Sequence, residues 1–410
     1  MALLFFIVIK HFFAVKNFIF DEKKRMVSFD NTENAFKAKT NFDLTKSYWL
    51  FKLVSNPSMV NFGAKVAPIS LNLGFKGLIK NTIFKQFVGG ETINDCGNTI
   101  IELGKYNIGT ILDYSVEGKE SEMDFDACLK ETLETIEKAK HETHIPFCVF
   151  KVTGLARFDL LEKISANIKL SDAETKEFDK VKLRVNTICK AAFDANQAIF
   201  IDAEESWIQP AIDDLADENM SLFNKQKPIV YNTYQLYRHD RLDFIKLSYK
   251  KALEGNYFLG AKLVRGAYME KERERAIAKN YPSPINKTKE ATDKLYDDTI
   301  LFCLEHIDKI AICAGSHSEA SSLYLAKLME DKNIPKNHPH ISFAQLFGMS
   351  DHISFNLSRD GYNVAKYVPY GPVKEVLPYL IRRAQENTSV KGQTGRELNL
   401  IIKEKERRKV

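Results

Sequence analysis

The chain has 410 residues, 44% of them hydrophobic and 28% charged, and this composition excludes disorder as its overall state. The formal net charge of +5 is small beside 59 basic and 54 acidic side chains, so charge alone predicts neither a nucleic acid nor an anionic membrane as partner. Six scattered cysteines form no C-x-x-C pair, which indicates buried free thiols in a reducing compartment. One enzyme-sized domain with additions is therefore expected.

Residues 1–90 are predicted to be an N-terminal extension followed by a helical arm. Met1–Ile9 and Phe12–Phe20 are almost wholly apolar, but each run is too short to span a bilayer. No basic region precedes them and no clear cleavage site follows, so a secretory signal is not expected. We interpret the residues before Met26 as an upstream extension, with a weak interfacial anchor as the alternative. From Asn34 to about Phe87, irregular helical spacing predicts the arm.

Residues 91–390 alternate short apolar runs with longer amphipathic stretches, the pattern of repeated strand-helix units. Eight runs predict strands: 109–114, 147–152, 198–202, 229–234, 258–264, 309–314, 340–346 and 364–369. Helical spacing fills 125–142, 178–195, 207–222, 240–254, 288–305 and 318–332, and it is weak only after the seventh run. The sequence therefore predicts an α/β fold, a (β/α)₈ TIM-like barrel, with residues 391–410 as a basic C-terminal tail. An open doubly wound sheet is the alternative, but no glycine-rich nucleotide motif follows an early strand.

Polar side chains interrupt or end most of the predicted strands, where the active site of such a barrel lies. They include Lys151, Asp202, Asn232, Lys262, Ser316 and His317. Burying a charge without a partner costs roughly several kcal/mol of stability. These residues are therefore expected to pair with one another or to face a polar ligand. Lys151 and Asp202 are the expected pair, and a purely structural ion pair is the alternative.

The last predicted helix, Val373–Asn387, carries Tyr379, Arg382, Arg383 and Glu386 on one stripe. Two adjacent guanidinium groups beside a tyrosine suit bidentate recognition of a carboxylate or phosphate. A solvated pair of surface arginines is the alternative. A proline at position 378 is expected in or near the first turn, where a missing N–H donor costs little.

The chain resembles the proline dehydrogenase family, in particular its monofunctional eukaryotic type. The resemblance covers roughly residues 85–390 and rests on five strings in order: Phe87-Val88-Gly89-Gly90-Glu91, Ile111-Leu112-Asp113-Tyr114, Phe200-Ile201-Asp202-Ala203-Glu204-Glu205, Lys262 to Tyr268 and Tyr367 to Asn387. It implies a distorted barrel that binds FAD noncovalently and oxidises L-proline to Δ1-pyrroline-5-carboxylate, the first step of proline catabolism to glutamate. Electrons would pass to a membrane quinone.

The resemblance also implies roles for individual residues. Lys151 resembles the family's substrate-site lysine with Asp202 as its catalytic partner, and Arg382 and Arg383 resemble the residues that hold the proline carboxylate. Tyr367, Tyr379 and Leu346 would enclose the proline ring. The flavin would contact Asn232, Lys262, Val264, Gly266, Tyr268, Ser316, His317 and Glu386. The bifunctional bacterial form has glutamine in place of Asn232 and arginine in place of Lys262, and no general base for the proline amine is evident.

The resemblance places the enzyme inside the cell, either in the cytoplasm or in peripheral contact with the inner face of an energy-coupling membrane, which is mitochondrial in a eukaryote. Three other classes of function are open. Lys151 or Lys262 could be the nucleophile of a Schiff-base aldolase or lyase. A metal hydrolase could use the histidine pairs 141/144 or 338/340, but both pairs lie away from the predicted strand ends, so no metal site is expected. The basic residues of the C-terminal tail could bind nucleic acid or a membrane surface, but a solvated end is the more ordinary interpretation, and no nucleic acid is expected.

Overall fold

The computed structural model describes residues 27–72, 76–115, 120–389 and 393–410. The extension or anchor predicted before Met26 lies outside the described residues, and so does the side chain of Glu386. Among the described helices, none combines the length and the apolar character needed to cross a bilayer.

Eight parallel strands close into a barrel in the order β1 to β8, which confirms the predicted α/β fold. The strands are β1 (Ile108–Tyr114), β2 (Phe147–Phe150), β3 (Ala198–Ile201), β4 (Val230–Gln235), β5 (Leu259–Val264), β6 (Ile310–Gly315), β7 (Ile341–Leu346) and β8 (Val364–Tyr370). Residues of β1 and β8 pair along their whole length, from Ile108 with Val364 to Tyr114 with Tyr370, and this pairing closes the sheet. Each predicted strand is present and differs by at most two residues at either end.

Helices surround the barrel and precede it. They are α1 (Thr32–Ala35), α2 (Asn41–Val54), α3 (Pro57–Asn72), α4 (Lys76–Ile79), α5 (Lys85–Phe87), α6 (Gly97–Gly104), α7 (Glu122–Lys140), α8 (Phe158–Ser165), α9 (Asp172–Asp194), α10 (Gln209–Phe223), α11 (Arg241–Glu254), α12 (Met269–Lys279), α13 (Lys289–Glu305), α14 (Glu319–Asp331), α15 (Asp351–Arg359), α16 (Val373–Ser389) and α17 (Gln393–Arg408). A π-helical turn, Lys80–Phe84, joins α4 to α5, and a 3₁₀ turn, Val152–Gly154, follows β2.

The two faces of the sheet form separate cores because strand side chains alternate. Inward-facing residues, among them Phe147, Phe200 and Tyr231, pack inside the barrel, where the rings of Phe147 and Phe200 stack at 4.5 Å. A much larger cluster fills the space between the outer face and the surrounding helices. The lumen is therefore packed at its centre, and polar side chains are left to its carboxyl end.

The C-terminal residues differ from the predicted basic tail. They form α17, in which Leu400 and Ile401 are buried against the N-terminal arm and Leu398 is partly buried beside them. The guanidinium group of Arg408 donates to the carbonyl oxygens of Phe36 and Lys39 at 2.9 and 2.7 Å. Arg408, a basic residue that was expected in solvent, thus joins α17 to the N-terminal arm.

Helix α16 also differs in one detail from the prediction. The proline at position 378 is the sixth residue of this helix, so it lies inside the helix and not in its first turn. Its missing N–H leaves the carbonyl of Lys374 without the usual backbone partner. The helix nevertheless continues to Ser389 and carries the arginine pair at its centre.

Candidate active site

The carboxylate of Asp202 is the centre of a buried polar cluster at the carboxyl end of the barrel. Lys262 Nζ lies 2.5 Å from Asp202 Oδ1, and the hydroxyl of Tyr367 donates to Oδ2 at 2.6 Å. Burial alone would raise the pKa of Asp202, but the charges of Lys262 and Lys151 and these hydrogen bonds outweigh it and hold the pKa below its usual value. Asp202 is therefore an anion that is fixed in position by two donors.

Lys151 contributes to this cluster less directly than predicted. Its Nζ donates to Asp113 Oδ1 at 3.2 Å and lies 3.8 Å from Asp202 Oδ2. The second oxygen of Asp113 accepts a short hydrogen bond from Ser115. The structure thus brings Lys151 and Asp202 together, but it places Asp113, a buried carboxylate at the end of β1, closer to the lysine. The position of Asp113 at a strand end is the signal that could have identified it.

The hydroxyl of Tyr367 stays protonated. Burial raises its pKa well above the ordinary value, and the negative charges of Asp113 and Asp202 raise it further. The ring of Tyr367 also lies beneath a cation, because Lys262 Nζ is 4.5 Å from its centroid and 5.2 Å from that of Phe200. Tyr367 therefore acts as a hydrogen-bond donor and as an aromatic wall at the same time.

Leu346 connects the lumen to the helix that carries the arginines. It packs against the inner cluster that contains Tyr367 and against the cluster beneath α16 that contains Tyr379. The guanidinium carbon of Arg383 lies 5.1 Å from the centroid of the Tyr379 ring, and Arg383 is buried while Arg382 is half-buried. The predicted ring wall and the predicted carboxylate clamp are thus neighbours at the carboxyl end of the barrel.

The end of β6 carries Ser316 and His317. The hydroxyl of Ser316 accepts a hydrogen bond from Arg265 Nη1 at 2.6 Å, and His317 Nδ1 lies 2.8 Å from the hydroxyl oxygen of Ser350. Burial, together with the charges of Lys366 and Arg383, lowers the pKa of His317 to about 3. His317 is consequently a neutral imidazole at physiological pH. Arg265 was not among the predicted site residues, although it follows β5 within the motif that contains Lys262.

Asn232 does not join this cluster. Its side-chain amide donates to Asp213 on α10 at 2.9 Å, which places it on the outer face of β4. Gln235, three residues later, lies on the same face of the strand as Tyr231 and so points inward. Among the described residues, the buried Oε1 atom of Gln235 has no hydrogen-bond partner. Its register partner on β5 is the predicted flavin contact Val264.

The turn after β5 requires glycine at position 266. Gly266 has φ +131°, and a Cβ atom there would lie 2.5 Å from the ring of Tyr237. Tyr268, two residues later, is half-buried and is the N-cap residue of α12. The predicted residues Val264, Gly266 and Tyr268 therefore lie in one turn that follows Lys262 and packs against Tyr237 at Gly266.

Comparisons with known proteins identify the family of the chain. Residues 96–396 match the sequence profile of the proline dehydrogenase family. The chain is 33% identical over 430 aligned positions to proline dehydrogenase 1, mitochondrial, of Dictyostelium discoideum, covering 92% of this chain and 74% of that protein. It is 42% identical over 245 residues to proline dehydrogenase 1, mitochondrial, of Drosophila melanogaster, but this match covers 57% of the chain and 36% of that protein.

A solved structure shares the fold. Proline utilization A from Bdellovibrio bacteriovorus superposes with a TM-score of 0.69 at 20% identity, covering 92% of this chain and 41% of that one. At this identity the likeness supports the barrel and its preceding helices alone. The sequence profile spans most of the chain, so this chain belongs to the proline dehydrogenase family, whose members are FAD-dependent oxidoreductases.

Proposed function

We propose that this chain oxidises L-proline to Δ1-pyrroline-5-carboxylate with noncovalently bound FAD, and that the electrons pass to a membrane quinone. The observation that carries the proposal is the juxtaposition of a buried ionic cluster at Asp202 with an aromatic wall and the arginine-bearing helix at one end of the barrel. Proline presents a carboxylate, an apolar ring and an amine. This end of the barrel offers a cationic clamp, apolar walls and fixed polar groups for these three parts.

The residues present fit a flavin. Gln235 supplies a buried carboxamide oxygen that lacks a donor among the described residues, and a flavin ring carries both N–H donors and carbonyl acceptors. Lys262 supplies a cation, and the packed turn at Gly266 allows close approach of the backbone. Ser316 and His317 would hold the cofactor from the neighbouring strand. The predicted contact from Asn232 requires its amide to leave Asp213, so we add Gln235 to the candidate flavin ligands.

The chain's own residues bind and orient the substrate. Arg382 and Arg383 hold the carboxylate, while Tyr367, Tyr379 and Leu346 enclose the ring and exclude water. When bound, FAD accepts the hydride that leaves the ring carbon beside the nitrogen, and loss of the amine proton completes the C=N bond. Asp202 already accepts hydrogen bonds from two donors, so we assign it a positioning role and assign the amine proton to no residue.

The Schiff-base alternative is disfavoured by the surroundings of both lysines. Such a lysine attacks as the neutral amine, yet Lys262 Nζ contacts Asp202 and Lys151 Nζ contacts Asp113. Trapping with borohydride and a keto acid should leave both lysines unmodified. A covalent adduct on either one would favour the lyase function instead.

An anaerobic spectrum tests the proposed reaction. The purified protein is expected to show the visible absorbance of bound flavin and to lose it when L-proline is added, while D-proline, with its carboxylate in the wrong configuration, leaves it unchanged. A bound flavin that stays oxidised at saturating L-proline would refute the proposal.

The membrane contact of the proposal is supported by the N-terminal arm. Phe42, Trp49 and Leu53 are 78%, 56% and 48% exposed, and their spacing places them on one stripe of α2. Met59 and Phe62 of α3 are also exposed. Residues 41–90 contain six lysines and one acidic residue, an excess equal to the net charge of the whole chain. Exposed aromatic side chains among lysines suit the surface of an anionic bilayer.

Vesicle flotation of the full-length protein tests this contact. We expect flotation with anionic vesicles, less with zwitterionic vesicles, and a loss with Trp49→Ser combined with Phe42→Ser. Leu247→Ser is the control, because Leu247 is 50% exposed on α11, outside the N-terminal arm. Undiminished flotation of the double variant would show that the arm is not the docking surface.

A further inference from the structure

The C-terminal helix α17 extends one buried carboxylate towards the candidate flavin site. The two carboxylate oxygens of Glu397 accept hydrogen bonds from the backbone N–H of Ser350 at 2.9 and 3.1 Å. Most of the apolar contacts of α17 are with the N-terminal arm, whereas Glu397 is buried against the loop between β7 and α15. The residue lies just beyond the segment that matches the family profile.

Ser350 is held in an unusual conformation at this point. It is completely buried, and its φ of 51° and ψ of 41° place it in the left-handed region, which residues other than glycine adopt rarely. Its backbone N–H points at Glu397 while its hydroxyl lies against His317. The Ser350 N–H, shared between the two oxygens of one carboxylate, therefore fixes the backbone that orients this hydroxyl.

The Ser350 hydroxyl in turn contacts the imidazole of His317. Ser350 Oγ is 2.8 Å from His317 Nδ1, and this contact restrains the orientation of the imidazole ring. His317 follows β6, beside Ser316 and within the electrostatic reach of Arg383, so its orientation matters to whatever binds at the carboxyl end of the barrel.

We propose that Glu397 is a positioning residue of the flavin site, which acts through Ser350 on His317. The inference rests on the proposed function, because His317 is a candidate flavin ligand. Helix α17 then has a second role besides packing against the arm. From outside the barrel, it orients His317, which is a candidate contact of the flavin. At metal sites, mutation of residues that orient a ligand without touching the metal commonly lowers the affinity for the metal. We expect the same kind of effect on the affinity for FAD.

The experiment compares four single full-length variants and the double variant that combines Glu397→Ala with Ser350→Ala. Glu397→Ala removes both acceptors, Glu397→Gln keeps one, and Ser350→Ala removes the hydroxyl but keeps the backbone N–H. Glu404→Gln is the matched control, because Glu404 is buried seven residues later on the same helix and pairs with Arg407 and Arg408 at 2.8 and 2.7 Å. The readouts are the dissociation constant of FAD, the visible spectrum of the bound flavin and the melting temperature.

We expect Glu397→Ala and Ser350→Ala each to weaken FAD binding by about tenfold and to alter the flavin spectrum in the same way. Combining them should add little to either alone, because both break one chain of contacts. Glu397→Gln should fall between these variants and the unaltered protein. Glu404→Gln should lower the melting temperature with FAD affinity and spectrum unchanged.

Two outcomes overturn the inference. One is unaltered FAD binding in Ser350→Ala, a variant that keeps the backbone contact with Glu397 and so does not depend on how well α17 docks. The other is an equal loss of FAD affinity in Glu404→Gln, which would mean that general loosening of the helix is the cause. If the unaltered protein binds no FAD at all, the proposed function fails instead, and the two failures are distinct.

Discussion

Replacing Glu204 with glutamine should remove a loss of stability that occurs as the pH rises towards neutrality. The Glu204 side chain is buried just beyond β3, where its carboxylate accepts hydrogen bonds from the backbone N–H of Thr153, at 3.0 Å, and from the Thr153 hydroxyl. Burial and the charge of Glu205 raise the pKa of Glu204, the bonds from Thr153 oppose the rise, and the net pKa is about 7.

The sign and size of the effect follow from this pKa. The folded state binds the proton more tightly than the unfolded state, whose pKa is near 4.5. The stabilising contribution is therefore complete below about pH 4.5 and is lost as the pH rises through about 7. Since one pH unit corresponds to about 1.4 kcal/mol, the free energy of unfolding should fall by about 3 kcal/mol across this range because of Glu204 alone.

The assay is urea unfolding of the unaltered protein and of Glu204→Gln at several pH values between about 5 and 8. The difference between their free energies of unfolding should grow in favour of the variant by about 1 kcal/mol per pH unit up to about pH 7. Glu404→Gln serves as a control of opposite sign. Burial opposes ionisation of Glu404, but Arg407 and Arg408 overcome this effect and lower its pKa. The contribution of Glu404 to the free energy of unfolding is therefore lost only at acidic pH. A constant difference between Glu204→Gln and the unaltered protein would refute the reasoning.

Three further predictions concern the site and its support. Arg382→Ala or Arg383→Ala should raise KM for proline by roughly tenfold to a hundredfold with FAD still bound, and loss of FAD at normal proline affinity would show that the clamp is misassigned. Tyr367→Phe removes a donor to a buried carboxylate and should lower kcat/KM by about tenfold or more in steady-state kinetics, so an unchanged value would argue against a positioning role. Gly348→Ala should lower the free energy of unfolding by at least about 2 kcal/mol, because φ is +77° and the added Cβ meets the carbonyl of Gln86; a wild-type urea midpoint would contradict this.

The barrel could be predicted because its strands are short, apolar and separated by regular helical stretches. The elements that the sequence did not predict have identifiable reasons. Helix α12 (Met269–Lys279) carries charges on almost every side, and α15 (Asp351–Arg359) is buried nearly all round, so neither shows one apolar stripe. Helix α8 (Phe158–Ser165) is an extra helix in a unit where the longer α9 accounted for the pattern.

The site was less predictable than the fold because it depends on which way each side chain faces. Both faces of the strand Val230–Gln235 carry apolar and polar residues, so the sequence does not indicate which face points inward. Shifting the assumed register by one residue would place Asn232 instead of Thr233 inside the barrel. That Asp202 lies closer to Lys262, at 2.5 Å, than to Lys151, at 3.8 Å, likewise depends on distances across the lumen. Sequence reasoning identified the residue types and the strand ends, while the partners required the closed sheet.

The contact between Arg408 and the carbonyl oxygens of Phe36 and Lys39 has a consequence for folding during synthesis on the ribosome. Synthesis is vectorial, and N-terminal segments emerge first. The arm formed by the first helices must wait, with its apolar face uncovered, until translation of almost the entire chain has delivered α17. During that interval the apolar face that the arm later buries against α17 is exposed.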